Sequence, residues 1–158
     1  MHNYHGDLMA TIPAMPNAED CNCFAVRAAA RHVTQFYDQC LASTGLRTSQ
    51  FSILAKLKRK GTSTINALAD EMVMDRTTLS RNIMPLEREG LIVVEPTGSD
   101  RRSKELQLTK AGERRLRDAQ KAWSEAQIRF ESGFGTGRSS QLRRLLRSVV
   151  SAPLVSEA

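Results

Sequence analysis

Two groups of residues have types and spacings suited to chemistry. The first is sulfur and imidazole: Cys21, Cys23 and Cys40, with His2, His5 and His32 near them in the chain. Cys21 and Cys23 stand as C-x-C, not the C-x2-C of zinc sites, and no second Cys/His pair follows. Three cysteines also make an odd count, which argues against a disulfide framework. Cys23 falls near an expected helix start with Arg27 one turn on, and both features favour a thiolate. The competing reading makes Cys23 and Cys40 small apolar residues packed at an interface. The second group is basic and hydroxylated. It comprises Arg76, Thr77, Thr78, Ser80 and Arg81, followed by Asp100, Arg101, Arg102 and Lys104. Short hydroxyls and long cations are what a helix entering a DNA groove presents to bases and phosphates.

Those residues need elements to hold them. Apolar positions from Asp20 to Ser43 recur at spacings of three to five, which predicts a helix ended by Gly45. A second helix is expected from Thr48 to Gly61, with Phe51, Leu54, Ala55 and Leu57 inward. Thr62 or Ser63 is the expected cap of a short helix, INALADEM, and Val73–Met74 make a tight connection. Asp75 then caps a helix running to Gly90, with Leu79, Ile83 and Leu86 setting its period. Pro85 lies inside it, removes a backbone hydrogen bond and is expected to kink it. LIVVE (91–95) and ELQL (105–108) read as a two-stranded hairpin around a charged turn. Thr109 caps a long helix, glycines at 133, 135 and 137 break it, and a last helix is expected from about Ser140 to Val150. The fold class is therefore mainly α with a small β-hairpin wing. A helix, tight turn, helix and basic hairpin in that order are a winged helix-turn-helix. The expected organisation is a flexible arm at 1–18, dimerisation helices at 19–46 and 110–152, a DNA-binding lobe at 47–109 and a tail at 153–158.

Charge is consistent with this reading. The chain carries a net +6. Residues 1–40 hold Asp7, Glu19, Asp20 and Asp38 against Arg27 and Arg31, a net −2, which leaves +8 for the rest. The acid-free stretch Arg47, Lys56, Lys58, Arg59 and Lys60 reads either as part of a polyanion surface or as a solvated helix face. No run of about 18 apolar residues appears, and residues 1–10 lack the pattern of a signal peptide, so a cytoplasmic protein without membrane contact is expected. No phosphate loop, nucleophile elbow or H-E-x-x-H is present, so neither an enzyme nor a bound cofactor is expected.

From Asp100 to Gly112 the sequence DRRSKELQLTKAG fits the wing signature D-x-R-x5-L-T-x-x-G of the MarR family of transcription regulators. LSRNIMPLEREGLI (79–92) is similar to that family's recognition helix and its exit into the wing, although Pro85 departs from the commoner residues. The resemblance runs from about Cys21 to Val150. It implies a homodimer whose terminal helices intertwine and present two winged helices to a palindromic stretch of double-stranded DNA. It further implies that Arg102, oriented by Asp100, enters the minor groove while Thr77, Thr78, Ser80 and Arg81 face the major groove. Regulation, as a repressor released by a small aromatic or phenolic ligand, would use a cleft lined by Phe36, Tyr37, Phe51, Trp123 and Arg47. The same apolar residues also suit plain core packing.

The segment NCFAVRAAARHVTQFYD (22–38) resembles the first helix of the family's hydroperoxide-sensing branch. Cys23 would be the peroxidatic residue, and Tyr37 would bond its thiolate from the partner chain. Thr48 and Arg27 stand where that branch has tyrosines, and no cysteine lies in the last third of the chain. Two further readings use the same surfaces: a DNA-binding protein without sequence preference, and a protein-interaction module in which Arg81 and Arg102 are surface charges.

Overall fold

The computed structural model describes residues 17–97 and 100–154, and of residues 97 and 100–103 the backbone alone. Residues 1–16 of the expected arm, 155–158 of the tail and the side chains of Asp100, Arg101 and Arg102 lie outside the described residues. The chain divides into two units between Val33 and Thr34, within the first long helix.

Unit one holds a 3-10 turn, Ala18–Asp20, capped by Asn17, and the first part of α1 (Asn22–Leu41). Phe24 and Val26 on that stretch are exposed.

Unit two begins within α1 and contains every other element. These are a 3-10 turn (Ala42–Thr44), α2 (Thr48–Lys60), β1 (Ser63–Thr64), α3 (Ile65–Met72), α4 (Arg76–Arg88), β2 (Ile92–Thr97), β3 (Asp100–Leu108), α5 (Lys110–Phe134) and α6 (Thr136–Ser151). One cluster of buried side chains joins α2, α3, α4 and the strands. Ile53, Leu54, Leu68, Leu79 and Leu106 are fully enclosed there, with Ile83, Leu86, Leu91 and Ile92 around them. Burial of a Leu or Ile side chain stabilises by roughly 1.5–3 kcal/mol, so this cluster holds the lobe together.

Three expectations change. The sheet has three strands in the order β1-β3-β2, because Ser63 and Thr64 pair with Leu106 and Glu105. The two-residue strand carries no periodicity, which hid it. The cap of α3 is accordingly Thr64, whose hydroxyl accepts from the Ala67 N–H at 3.1 Å, rather than Thr62 or Ser63. The break before the last helix is also narrower than expected. Gly135, at φ 101°, is the one residue between α5 and α6, while Gly133 and Gly137 lie inside helices, so α6 starts at Thr136 rather than near Ser140.

The wing strands pair from Ile92–Leu108 to Pro96–Lys104, with a register shift beyond Pro96. Pro96 has no N–H to give, and it sits on the outer strand where none is required. Pro85 does not end α4, which runs on to Arg88, and the Glu89 N–H bonds the Pro85 carbonyl at 3.0 Å. Among the described residues no helix is long and apolar enough to cross a membrane.

Candidate nucleic-acid interface

The turn between α3 and α4 determines where α4 points. Val73 closes α3 in the left-handed region (φ 52°, ψ 44°), and the Val73 and Met74 N–H groups bond back to Asp70 and Ala69. A β-branched residue is strained there. Asp75 then caps α4: its carboxylate accepts from the Thr78 N–H at 2.8 Å and from the Thr78 hydroxyl at 2.6 Å. Those bonds hold its carboxyl below the usual carboxylate range, the hydroxyl having the larger effect.

At about 100° per residue, Leu79, Ile83 and Leu86 form one buried face of α4. Thr77, Arg81, Met84 and Arg88 form the opposite face, and all four are exposed. Arg76 is exposed at the helix start, and Ser80 is half-buried at the edge of the outer face. Thr78 is exposed, but its hydroxyl proton is committed to Asp75.

Asn82 fixes the rotation of α4. Its Nδ2 donates to the Thr78 carbonyl at 2.9 Å, and its Oδ1 accepts from the Ser49 hydroxyl of α2 at 2.7 Å. A half-buried amide in a helix is a visible sequence oddity, but its partner 33 positions away is not. Asp38 does the same for α2, accepting from both the N–H and the hydroxyl of Thr48 at 2.7 Å. At the far end of α4, Arg115 of α5 lies 3.4 Å from Glu89 and donates to the Thr44 carbonyl at 3.3 Å.

The wing is anchored at its root. Thr109 accepts from the Gly112 N–H at 3.0 Å and donates to the Gly90 carbonyl at 2.7 Å. A β-carbon on Gly112 would clash with the Leu91 carbonyl oxygen and sit 2.6 Å from Leu108 Cδ1. The L-T-x-x-G half of the wing signature is therefore a joint between α4's exit, β3 and α5. Further out on the wing, Lys104 is exposed.

The basic stretch of α2 divides between paired lysines and exposed arginines. Lys58 bonds Glu113 at 2.7 Å, and Lys56 and Lys60 both pair with Glu71. The Lys58 ammonium, by hydrogen bond and by charge, holds the Glu113 carboxyl low. Acids from α3 and α5 thus neutralise lysines that look unpaired in the sequence, while Arg47 and Arg59 stay exposed.

A family model of the MarR family matches residues 46–104. The solved structure of the M. tuberculosis transcriptional regulator MosR in complex with DNA is similar along nearly the whole chain. It is 33% identical, with a TM-score of 0.72, over 85% of this chain and 100% of that one. The chain belongs to the MarR family. MarR-family proteins are DNA-binding transcription regulators, not enzymes, and this chain is one of them. The repressor CouR bound to a 23-mer DNA duplex is 26% identical, with a TM-score of 0.74, over 84% of this chain and 94% of that one. The organic hydroperoxide resistance transcriptional regulator of Bacillus subtilis is 28% identical over 90 residues, so the match spans 57% of this chain and 61% of that protein's length.

The candidate aromatic sensor residues of this MarR-family chain pack against side chains of α5. Phe51 is buried and stacks on half-buried Trp123, with ring centroids 5.8 Å apart and planes 18° apart. Phe36 packs edge-on against Tyr37 at 5.3 Å and lies 6.4 Å from Phe130. The Tyr37 hydroxyl donates to Gln127 of its own chain. Burial, followed by the nearby Glu131 charge, pushes its pKa above 10.0. Arg129 lies over the Phe36 ring and donates to Cys40 Sγ at 3.4 Å. Cys21 and Cys23 are exposed free thiols. Among the described residues no three His, Cys, Asp or Glu side chains gather as a metal site requires.

Proposed function

We propose that this chain is a cytoplasmic repressor that binds a palindromic operator as a homodimer and leaves it when a small aromatic or phenolic ligand binds. The observation that carries the DNA half is the outer face of α4. A helix whose rotation is fixed by Leu79, Ile83, Leu86 and Asn82 presents Thr77, Arg81 and Arg88 in one row, with no ion pair to any of them among the described residues. Arg76, Thr77, Thr78, Ser80 and Arg81 meet the major groove. Lys104, Arg101 and Arg102, the last oriented by Asp100, meet the phosphates and the minor groove. The similar protein CouR is a transcriptional repressor, which supports the direction of control.

The dimer half rests on α6. Leu145, Leu146, Val149 and Val150 are 41–62% exposed along one helix. A second copy related by a twofold axis covers such a stripe with its own. The helices at 19–46 and 110–152 are thus the dimerisation segments, flanking a lobe at 47–109.

Titration of the full chain against its own upstream DNA and a scrambled duplex, over a salt series, tests the proposal. A preference of about 10³-fold or more, superimposed on a steep salt dependence, is expected. Equal affinity for both duplexes overturns it. Release by ligand has its own probe in Trp123, the single tryptophan. A phenolic acid entering beside the Phe51–Trp123 stack changes its fluorescence and lowers DNA affinity together, because a ligand shifts the DNA equilibrium only by its differential affinity.

A second reading has one observation in its favour: Cys23 is exposed, and the Bacillus relative is named for organic hydroperoxide resistance. Cys23 would then be the oxidised thiol. Tyr37 is a weaker part of that reading, since its hydroxyl proton is committed to Gln127. Intact mass after brief hydroperoxide exposure decides: an oxidised Cys23 with loss of DNA binding supports the thiol sensor, and an unmodified chain removes it.

A further inference from the structure

The outward row on α4 contains a residue unlike its neighbours. Thr77, Arg81 and Arg88 are polar, whereas Met84 between the two arginines is apolar and 66% exposed. A lone exposed methionine is ordinary on a protein surface. This one is not free to choose its direction. Leu79, Ile83 and Leu86 are 0%, 4% and 1% exposed, and Asn82 is bonded on two sides, so α4 cannot roll to bury Met84. Any surface that receives Arg81 and Arg88 also receives Met84.

A thioether offers no hydrogen-bond donor and at most a weak acceptor, so it reads nothing in the donor–acceptor code of the base edges. It is long, unbranched and polarisable, and it conforms to small apolar features. The major groove has one such feature on its floor, the C5-methyl group of thymine. We propose that Met84 is a specificity residue that packs on a thymine methyl in each half-site. The rise from Arg81 to Met84 is about 4.5 Å, and base pairs stack about 3.4 Å apart. The thymine is therefore the neighbour of the base pair that Arg81 meets, or one step beyond it. This inference rests on the regulator reading above.

The test uses the full chain and a duplex recovered from a random-sequence pool by repeated binding to the wild-type protein. Each thymine of that duplex is then replaced by uracil, which removes only the methyl group. Wild-type protein is expected to lose about fourfold in affinity per half-site at one thymine beside the Arg81 contact. Met84→Ala is expected to bind the unmodified duplex more weakly by a similar factor and to ignore the uracil at that position, while Met84→Leu behaves like wild type. A flat uracil scan, or a Met84→Ala variant that loses as much as wild type at the same thymine, overturns the role of Met84 and leaves the regulator reading intact. If no sequence is enriched from the pool, the regulator reading itself fails, and Met84 with it.

Discussion

The lobe built on α2, α3, α4 and the strands and the helix α6 are equally amphipathic in sequence and opposite in outcome. In the lobe, Ile53, Leu54, Leu68 and Leu79 are all 0% exposed, each covered by another element of the same chain. In α6, sixteen residues bury one side chain, Ser139, whose hydroxyl has no partner among the described residues, while four aliphatic residues stay exposed. Periodicity in a sequence defines an apolar face, and it does not say which chain covers that face.

The sharpest way to break the comparison is to charge the α6 stripe. Leu146→Asp with Val149→Asp is expected to give a folded monomer by sedimentation velocity and to weaken operator binding by roughly 10²-fold or more, because two half-sites no longer reinforce each other. A double variant that stays dimeric and binds normally would show that the stripe is not an interface.

The matching change in the lobe, Leu79→Ala, should cost about 3 kcal/mol in stability, from lost burial and an unfilled cavity. Thermal unfolding measures it. Gly112→Ala should cost about 2 kcal/mol, because the new β-carbon meets the Leu91 carbonyl and the joint must open. Its operator affinity should fall further than that of an equally destabilised core variant, since the wing root moves. Val73→Gly should stabilise by about 1 kcal/mol, as strain in the left-handed region is relieved and little burial is lost from a residue 69% exposed.

The smallest expected effect is at alkaline pH. Burial, followed by the Glu131 charge, raises the Tyr37 pKa above its ordinary value, so the folded state favours the neutral phenol. That contribution is fully present below pH 10 and declines as pH rises through the folded-state pKa. Tyr37→Phe should flatten the decline in a pH series of melting temperatures, and an unchanged slope would mean that another group titrates there.

The sequence disclosed the elements whose residues act locally. Asp75 and Thr109 as caps and the periods of α2 and α4 depend on spacings of three or four, which a linear reading sees. What it missed acts at a distance. Asn82 meets Ser49, Asp38 meets Thr48, Glu71 collects two lysines from α2, and Ser63–Thr64 pair with residues over forty positions on. Pro85 lies inside α4, where its missing N–H costs one bond, and the helix continues to Arg88 with Leu86 on its packed face. Among the candidate contacts, those on α4 were legible as a polar run, yet Met84 was not, because an apolar residue in such a run reads as core until the face it occupies is known.

The joint at Thr109 and Gly112 makes α5 a lever. Through it, the exit of α4, the base of the wing and the first turn of α5 are hydrogen-bonded to one another. A helix of 25 residues is about 37 Å long, so a tilt of about 10° at its far end displaces the joint by about 6 Å, close to two base-pair steps. In the dimer proposed above, a modest push on the end of α5 remote from the joint would put the two α4 helices out of step with the groove.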